Sequence, residues 1–170
     1  MPTETATFRK PYLPRESLLV GVLADTHGRI AAAVCQALQG VDMIIHAGDS
    51  EGPEVLTRLA RIAPLHPVRG NMDLGGWSKA LPGEDLIAAG AVTILALHDL
   101  ARLSMDPGAC GAHVIVSGHT HRPEAKWRGG LLYLNPGSIS YPRAGFAPSL
   151  ALLSIHGERP DYRFLFFDTD

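Results

Sequence analysis

The sequence is short of cysteine, of basic charge and of long apolar runs, and each shortage argues against a class of protein. It has two cysteines in 170 residues, Cys35 and Cys110, with no CxxC or zinc-finger spacing, which disfavours a disulfide scaffold and a thiolate metal site. The net charge is −2, whereas proteins that coat nucleic acid carry a basic surplus. No stretch reaches the apolar length needed to span a bilayer. We therefore expect a cytoplasmic protein that binds no membrane and has no general affinity for nucleic acid.

The composition is that of one folded domain. Hydrophobic residues make up 46% of the chain and charged residues 19%, which fits a globular protein and not a disordered one. Residues 1–15 are polar, contain proline and lack the apolar core of a signal peptide. We predict an N-terminal arm over 1–15 and a single domain over 16–170.

Apolar runs and helical periodicities alternate along the first half of the chain. The runs at 18–24, 43–47 and 65–68 predict buried strands, and the segments between them predict helices, the second beginning at Pro53. This order favours parallel strands with helical crossovers. The second half contains short apolar segments separated by Gly and Pro turns, with a hairpin predicted at Gly90. We therefore predict an α/β protein with two packed mixed sheets flanked by helices.

Polar residues with metal-binding side chains follow the predicted strands, most of them close to a glycine. Because sites in open α/β sheets form outside the carboxyl ends of the strands, we expect these side chains to converge. The candidates are two aspartates, one asparagine and four histidines: Asp25, His27, Asp49, Asn71, His98, His119 and His121.

This donor set predicts a centre for two transition-metal cations. All the donor atoms are nitrogen or oxygen, which suits manganese, iron, nickel or zinc better than calcium. Seven ligands with one shared carboxylate are too many for one tetrahedral zinc and suit two adjacent cations. Asp25 and His27 are two residues apart, as are His119 and His121. Because such residues point the same way in extended backbone, we expect each pair to address one cation.

These motifs, in this order, resemble those of a known superfamily. Asp-x-His at 25–27, Gly-Asp at 48–49, Gly-Asn at 70–71, His98 at the end of a strand and Gly-His-Thr-His at 118–121 are similar to the calcineurin-like metallophosphoesterases. Gly-Asn-x-Asp at 70–73 and Asn-Pro-Gly-Ser at 135–138 resemble the small phosphodiesterases of the YfcE type within it. The resemblance covers about residues 17–155.

The resemblance implies a fold and a set of roles. The implied fold is a four-layer α-β-β-α sandwich of two mixed β-sheets flanked by helices. The implied ligands of the first cation are Asp25, His27 and His121, those of the second are Asn71, His98 and His119, and Asp49 bridges both. The implied catalytic residues are Asp49, Asn71 and His98, acting with a hydroxide that bridges the metals. Manganese is the first expectation for the two divalent cations, and nickel, zinc and iron are the alternatives.

The chain departs from the superfamily pattern at two positions. Many larger members have a histidine, often assigned as a general acid, directly after the asparagine, and this chain has Met72 there. The family usually has His-Gly-His where this chain has His98, Asp99 and Leu100. We expect Asp99 either to crowd the second cation or to place an extra carboxylate beside it.

The predicted function is hydrolysis of a small phosphoester, a phosphodiester first of all. Arg143 is a candidate substrate contact together with Asn71, because arginine can grip phosphate with two bonds; a solvated surface arginine is the alternative. Asp73 is either a partner of a ligand or a turn residue, and His46 is expected to be structural or a partner of a ligand. The alternatives for the whole protein are a phosphomonoesterase and a non-catalytic protein-binding scaffold of the same fold. The family also implies a homo-dimer or tetramer.

Overall fold

The computed structural model describes residues 17–169, so the arm predicted over 1–15 lies outside the described residues. Within that range the chain forms ten β-strands and two α-helices. Short 3₁₀ turns cover Gly76–Ala80 and Leu100–Arg102. The helices are α1 (Ala32–Ala37) and α2 (Pro53–Ala60), and the strands are β1 (Ser17–Leu23), β2 (Met43–His46), β3 (Leu65–Pro67), β4 (Glu84–Ala89), β5 (Val92–Leu97), β6 (Val114–Val116), β7 (Pro123–Arg128), β8 (Leu131–Pro136), β9 (Ser149–His156) and β10 (Arg159–Phe166).

The first sheet combines the two ends of the described chain. Its strand order is β10-β9-β1-β2-β3. β1, β2 and β3 run parallel, as the alternation of strands and helices predicts. The hairpin of β9 and β10 joins this unit through an antiparallel pairing of β9 with β1. The sheet is therefore mixed, and β1 lies at its centre.

The second sheet is formed by the middle of the chain. Its strand order is β4-β5-β6-β8-β7. β5, β6 and β8 run parallel at the centre, and β4 and β7 flank them as antiparallel edge strands. The β4–β5 hairpin turns at Gly90, as predicted. The parallel strands are β1, β2 and β3 in the first sheet and β5, β6 and β8 in the second, and within each set the carboxyl ends lie at the same end of the sheet.

The two sheets pack face to face around the main hydrophobic core. Val20 and Ile45 of the first sheet and Ile94 and Val116 of the second belong to one buried cluster. Burying side chains on both inner faces is the main stabilising contribution in such a sandwich. No helix in the described range is long and apolar enough to cross a membrane.

Helices cover the outer face of the first sheet. Pro53 begins α2, where its missing N–H costs no hydrogen bond. Val55 and Leu59 of α2 and Val34 of α1 are buried in a second cluster with residues of that sheet, such as Leu23. The apolar periodicity of both segments therefore marks the face that packs on the sheet.

The outer face of the second sheet carries a thinner layer. Leu95 and Ile115 are covered there by Leu103 and Cys110, which belong to the 3₁₀ turn region and the irregular chain after it. The α/β sandwich of two mixed sheets is thus confirmed. Its fourth layer consists of irregular chain and not of an α-helix, because Pro107, Gly108 and Gly111 interrupt this segment.

Candidate metal centre

The seven predicted ligands come together at the edge where the strands that carry them end. The strands concerned run parallel within each sheet, so the loops after them share one end of the sandwich. Asp25 and His27 follow β1, Asp49 follows β2, Asn71 follows β3, His98 follows β5, and His119 and His121 follow β6.

The sequence predicts extended backbone for the pair Asp25 and His27 and for the pair His119 and His121, and this prediction is wrong. The φ angles are 52° at Asp25, 45° at His27, 71° at His119 and 59° at His121, in the left-handed region that non-glycine residues seldom adopt. As a result His119 and His121 have different partners: His121 turns to Asp25 and His119 to Asn71. Left-handed backbone at several neighbouring residues is a feature of functional sites.

Backbone hydrogen bonds hold the loop after β1 against the loop after β2. The N–H of Asp25 donates to the carbonyl of Gly48 at 3.0 Å, and the N–H of His27 donates to the carbonyl of Asp49 at 3.0 Å. The hydroxyl of Ser138 donates to the carbonyl of Asp25 at 2.7 Å. The Asn-Pro-Gly-Ser turn at 135–138 therefore contributes a further hydrogen bond to the loop that carries Asp25.

One group of donors is formed by Asp25, His27 and His121. Their ligand atoms all lie within 4.8 Å of one another. The two Nε2 atoms of His27 and His121 are 3.3 Å apart. Oδ1 of Asp25 lies 3.3 Å from Nε2 of His121 and 3.9 Å from Nε2 of His27. These are the residues that the resemblance assigns to the first cation.

A second group lies directly beside it, around His98. Its Nε2 is 3.3 Å from Oδ2 of Asp49, 2.9 Å from Oδ1 of Asn71 and 3.9 Å from Oδ1 of Asp25. Oδ1 of Asn71 also lies 3.1 Å from Nδ1 of His119. The residues implied for the second cation are thus in mutual contact. Asp25 adjoins both groups in this structure, as Asp49 is expected to do.

The outer nitrogen of three of the four histidines is held by a neighbouring oxygen that is not a proposed ligand. Nδ1 of His27 is 2.9 Å from Oε2 of Glu51, Nδ1 of His121 is 2.7 Å from the carbonyl of Tyr141, and Nδ1 of His98 is 2.7 Å from the carbonyl of Ala47. Such partners fix the ring orientation and the tautomer of metal-binding histidines. Nothing in the sequence distinguishes Glu51 and Tyr141 from other loop residues, because one acts through an unremarkable carboxylate and the other through its backbone.

The arrangement fits a bound cation. A carbonyl or carboxylate can only accept a hydrogen bond, so Nδ1 of His27 and of His121 carries a proton, and in the neutral rings each Nε2 presents a lone pair. Those two lone pairs face one another, and Oδ1 of Asp25 is buried beside them with no hydrogen-bond partner in the described residues. Converging electron-rich atoms of this kind are stabilised by a positive charge among them, and a divalent cation supplies it.

The pKa values of these groups show the same demand for positive charge. The close approach of the Asp25 carboxylate, 3.3 Å from Nε2, and its charge raise the pKa of His121, although burial opposes this. Burial lowers the pKa of His98, but its bonds to Asp49 and to the Ala47 carbonyl, with the carboxylate charges, outweigh burial and leave it raised. Burial raises the pKa of Asp49, but the bond with His98 and the bond from the Met72 N–H outweigh that and leave it lowered.

Asp99 places its carboxylate beside the second group, on the outer side of His119. Its Oδ2 lies 3.9 Å from Nε2 of His119, while Nδ1 of the same ring faces Asn71. Its Oδ1 accepts the N–H of Ala101 at 3.0 Å and so caps the 3₁₀ turn. Of the two expectations for this position, the structure shows the additional carboxylate next to a ligand.

Arg143, a predicted substrate contact, lies at the surface, whereas His46, predicted to be structural or a partner of a ligand, is buried. Arg143 is exposed, its backbone N–H donates to the carbonyl of His121 at 3.2 Å, and its charge lowers the pKa of that histidine. It therefore lies at the rim of the cluster, where a substrate contact remains a prediction. His46 is fully buried below the cluster, with Nε2 2.9 Å from the hydroxyl of Thr26. This buried position agrees with the expectation that His46 has a structural role.

The described residues form a two-sheet α/β sandwich whose candidate metal ligands, all of them nitrogen or oxygen donors, gather at the ends of the strands. The family model for the calcineurin-like phosphoesterase superfamily domain matches residues 18–158. The chain belongs to this superfamily.

Individual relatives agree with that assignment. A probable metallophosphoesterase of Methanothermobacter thermautotrophicus is 35% identical over 156 residues, which span 85% of this chain and 90% of the relative. The solved structure of YfcE, a phosphoesterase from Escherichia coli, superposes with a TM-score of 0.63 and 25% identity over 80% of this chain and 88% of that one. Vps29 of Entamoeba histolytica complexed with zinc has a TM-score of 0.69 and 24% identity over 89% of this chain and all of its own, a likeness of fold alone.

Proposed function

We propose that the protein is a metal-dependent phosphodiesterase with a dinuclear centre. The observation that carries the proposal is the meeting of two imidazole lone pairs, 3.3 Å apart, with the partnerless Oδ1 of Asp25. Membership of the phosphoesterase superfamily supports ester hydrolysis as the use of such a centre. The likeness to YfcE phosphodiesterase, 48% identical over a 40-residue segment, supports a diester as the substrate.

Each residue of the cluster has a place in this proposal. Asp49 would bridge the two cations: its Oδ2 lies 3.3 Å from Nε2 of His98 in the second group, and the charge of His27 in the first group helps to lower its pKa. The donor set of nitrogen and oxygen suits manganese, nickel, zinc and iron alike, and of these we propose manganese first. The residues that would hold the first cation are Asp25, His27 and His121, and those for the second are Asn71, His98 and His119.

The chain itself binds and orients the substrate. When bound, the two cations supply a water acidified to near neutral pH and positive charge for the phosphate oxygens. Asn71 directs its Oδ1 at His98 and His119, so its amide nitrogen is oriented to donate to a non-bridging phosphate oxygen. Arg143 at the rim supplies a second, charged donor to the same group. Both contacts hold the phosphate in line for attack.

Met72 restricts the range of leaving groups. It follows Asn71 directly, and its side chain is 42% exposed at the edge of the cluster. A thioether cannot donate a proton, so a leaving alkoxide at this position must be stable by itself or take its proton from water. We therefore propose phosphodiesters with good leaving groups as the preferred substrates.

Hydrolysis of bis-p-nitrophenyl phosphate tests the proposal. Purified protein, stripped of metal and then loaded with Mn²⁺, is expected to release p-nitrophenolate and to stop when a chelator is added. Elemental analysis of the same sample is expected to find two metal equivalents per chain. Asp49→Asn is expected to lose most of the activity, and Asp161→Asn, on an exposed strand residue, serves as the matched control. Parent-like turnover by Asp49→Asn would show that the bridging role is wrong.

The same samples separate the alternative functions. A phosphomonoesterase would hydrolyse p-nitrophenyl phosphate faster than the diester under identical metal loading. A protein-binding scaffold, for which the Vps29 fold provides the comparison, would bind metal and hydrolyse neither ester. All seven residues implied as metal ligands are present in this chain, which supports the enzyme over the scaffold.

A further inference from the structure

Asp73 occupies the turn after β3 and is 4% exposed. Its Oδ2 accepts the backbone N–H of Gly70 at 2.7 Å and that of Asp49 at 3.0 Å. Its Oδ1 accepts the backbone N–H of Glu51 at 2.8 Å and the hydroxyl of Ser50 at 3.1 Å. One buried carboxylate thus receives four hydrogen bonds, and neither of its oxygens points into the ligand cluster.

The four donors belong to two different loops that both carry ligands. Three of them lie in the loop after β2, and the fourth is in the loop after β3, next to Asn71. Asp49 and Glu51 have φ angles of 56° and 53°, which cost free energy in any residue with a side chain. Hydrogen bonds to a charged acceptor are about twice as strong as neutral ones. Asp73 therefore holds this loop in a conformation that it would not adopt unaided.

The residues fixed in this way act on both donor groups. Asp49 contacts His98 in the second group, and its Oδ1 accepts the N–H of Met72 at 2.7 Å. Glu51 is held by its own N–H, and its carboxylate contacts Nδ1 of His27 in the first group. The position of Asp73 is thus transmitted to one group through Asp49 and to the other through Glu51.

We propose that Asp73 is a positioning residue that couples the two cation sites of the proposed centre. It binds no cation itself. It sets the orientation of the shared carboxylate of Asp49 and of the carboxylate that orients His27. Loss of Asp73 therefore weakens both cations together, whereas loss of Glu51 weakens only the cation held by His27.

Asp73→Asn is the sharpest perturbation because it preserves the shape of the side chain. An amide offers one oxygen acceptor and one NH₂ donor. Its oxygen can satisfy the donors on one side only, so the two donors on the other side face an NH₂ group. Ser50→Ala is the matched control, because it removes one of the four bonds and leaves the backbone donors and the carboxylate in place.

Mn²⁺ affinity, measured by calorimetry with a competing chelator, is the main readout. Loss of a partner that orients metal ligands typically weakens metal binding about 10- to 100-fold. Asp73→Asn is expected to weaken both cations by such a factor at a temperature where circular dichroism shows it folded. Glu51→Gln is expected to weaken one cation only, and Ser50→Ala to change affinity less than about threefold. Excess Mn²⁺ is expected to restore parent kcat to Asp73→Asn, because all seven ligands remain.

Several results would overturn the inference. Parent-like affinity in Asp73→Asn, loss of one cation only, or low kcat at saturating Mn²⁺ would each do so. Amide hydrogen exchange in the parent needs no variant: the N–H groups of Asp49, Glu51 and Gly70 are expected to be protected in metal-free protein, and rapid exchange there contradicts the proposal. The inference rests on the proposed metal centre, but the two fail differently. If the parent protein binds no Mn²⁺, the proposed metal centre is wrong. If the parent binds Mn²⁺ and Asp73→Asn binds it equally tightly, only the proposed coupling is wrong.

Discussion

Acidification is expected to destabilise the metal-free protein through His46. Burial lowers the pKa of this imidazole from 6.5 to about 4, and the nearby carboxylates of Asp73 and Asp25 only partly oppose it. Nε2 of His46 pairs with the hydroxyl of Thr26, and Nδ1 has no partner in the described residues. A proton added to this ring is therefore poorly accommodated in the folded state and well solvated in the unfolded one.

The sign and size of the effect follow from proton linkage. Between pH 6.5 and pH 4 the unfolded state binds more protons than the folded state, so the free energy of unfolding falls as the pH falls. The pKa of His46 is 6.5 in the unfolded state and about 4 in the folded state. At pH 5 protonation therefore favours the unfolded state over the folded state by a factor of about 30, which lowers the free energy of unfolding by about 2 kcal/mol. At pH 7.5 the same contribution is close to zero.

Urea unfolding at pH 7.5 and pH 5.0, with a chelator present, measures this contribution when the parent is compared with His46→Gln. Glutamine keeps a hydrogen-bonding group near Thr26 and cannot titrate. Groups shared by the two proteins cancel in the comparison, so the parent is expected to lose about 2 kcal/mol more stability than the variant on acidification. An equal loss in both proteins, or a His46 ring signal in NMR spectra that titrates near pH 6.5, would refute the reasoning.

Three further predictions concern packing and chemistry. Gly70→Ala places a Cβ in collision with Oδ1 and the backbone N of Asp49, so it is expected to lower the free energy of unfolding by about 1–3 kcal/mol and to weaken Mn²⁺ binding. The control Gly76→Ala, whose Cβ meets nothing within 4 Å, is expected to stay within about 0.5 kcal/mol of the parent, and equal melting temperatures of the two variants would contradict this. Ile94→Ala, fully buried between the sheets, is expected to cost about 2–5 kcal/mol in urea unfolding, and a loss below 1 kcal/mol would show a loosely packed core. Met72→His supplies a proton donor beside Asn71 and is expected to raise kcat for alkyl diesters relative to aryl diesters by up to about 100-fold; an unchanged ratio would remove the leaving-group argument.

The ends of the strands were predictable because apolar runs mark buried strands and polar residues beside glycine mark where they stop. The hairpin at Gly90 and the parallel unit of β1, β2 and β3 followed from the same pattern. The pairing of β9 with β1 was not predictable, because hydrophobic pattern specifies which faces are buried and not which strand lies beside which. The helical fourth layer implied by the resemblance is replaced by irregular chain, as Pro107 and its neighbouring glycines require.

The residues of the candidate site were predictable as a set, but their local geometry was not. Side-chain alternation suggested that His119 and His121 share a cation, whereas left-handed backbone at both positions separates them. Nothing in the residue types themselves indicates that conformation. The supporting contacts were missed for a related reason: Glu51 and the carbonyl of Tyr141 become partners only when distant loops fold together. Asp73 was noticed through its motif, and only the structure shows which donors it receives.

The ligand loops are tied to each other by their own backbones, through Asp25 to Gly48 and His27 to Asp49. The positions of these loops therefore depend on main-chain hydrogen bonds and not only on the side chains of the candidate ligands. Replacing one ligand side chain leaves these main-chain hydrogen bonds intact. A homologue can therefore lose a metal ligand during evolution and still keep the fold. In proteins built this way, the fold and the activity can change separately during evolution.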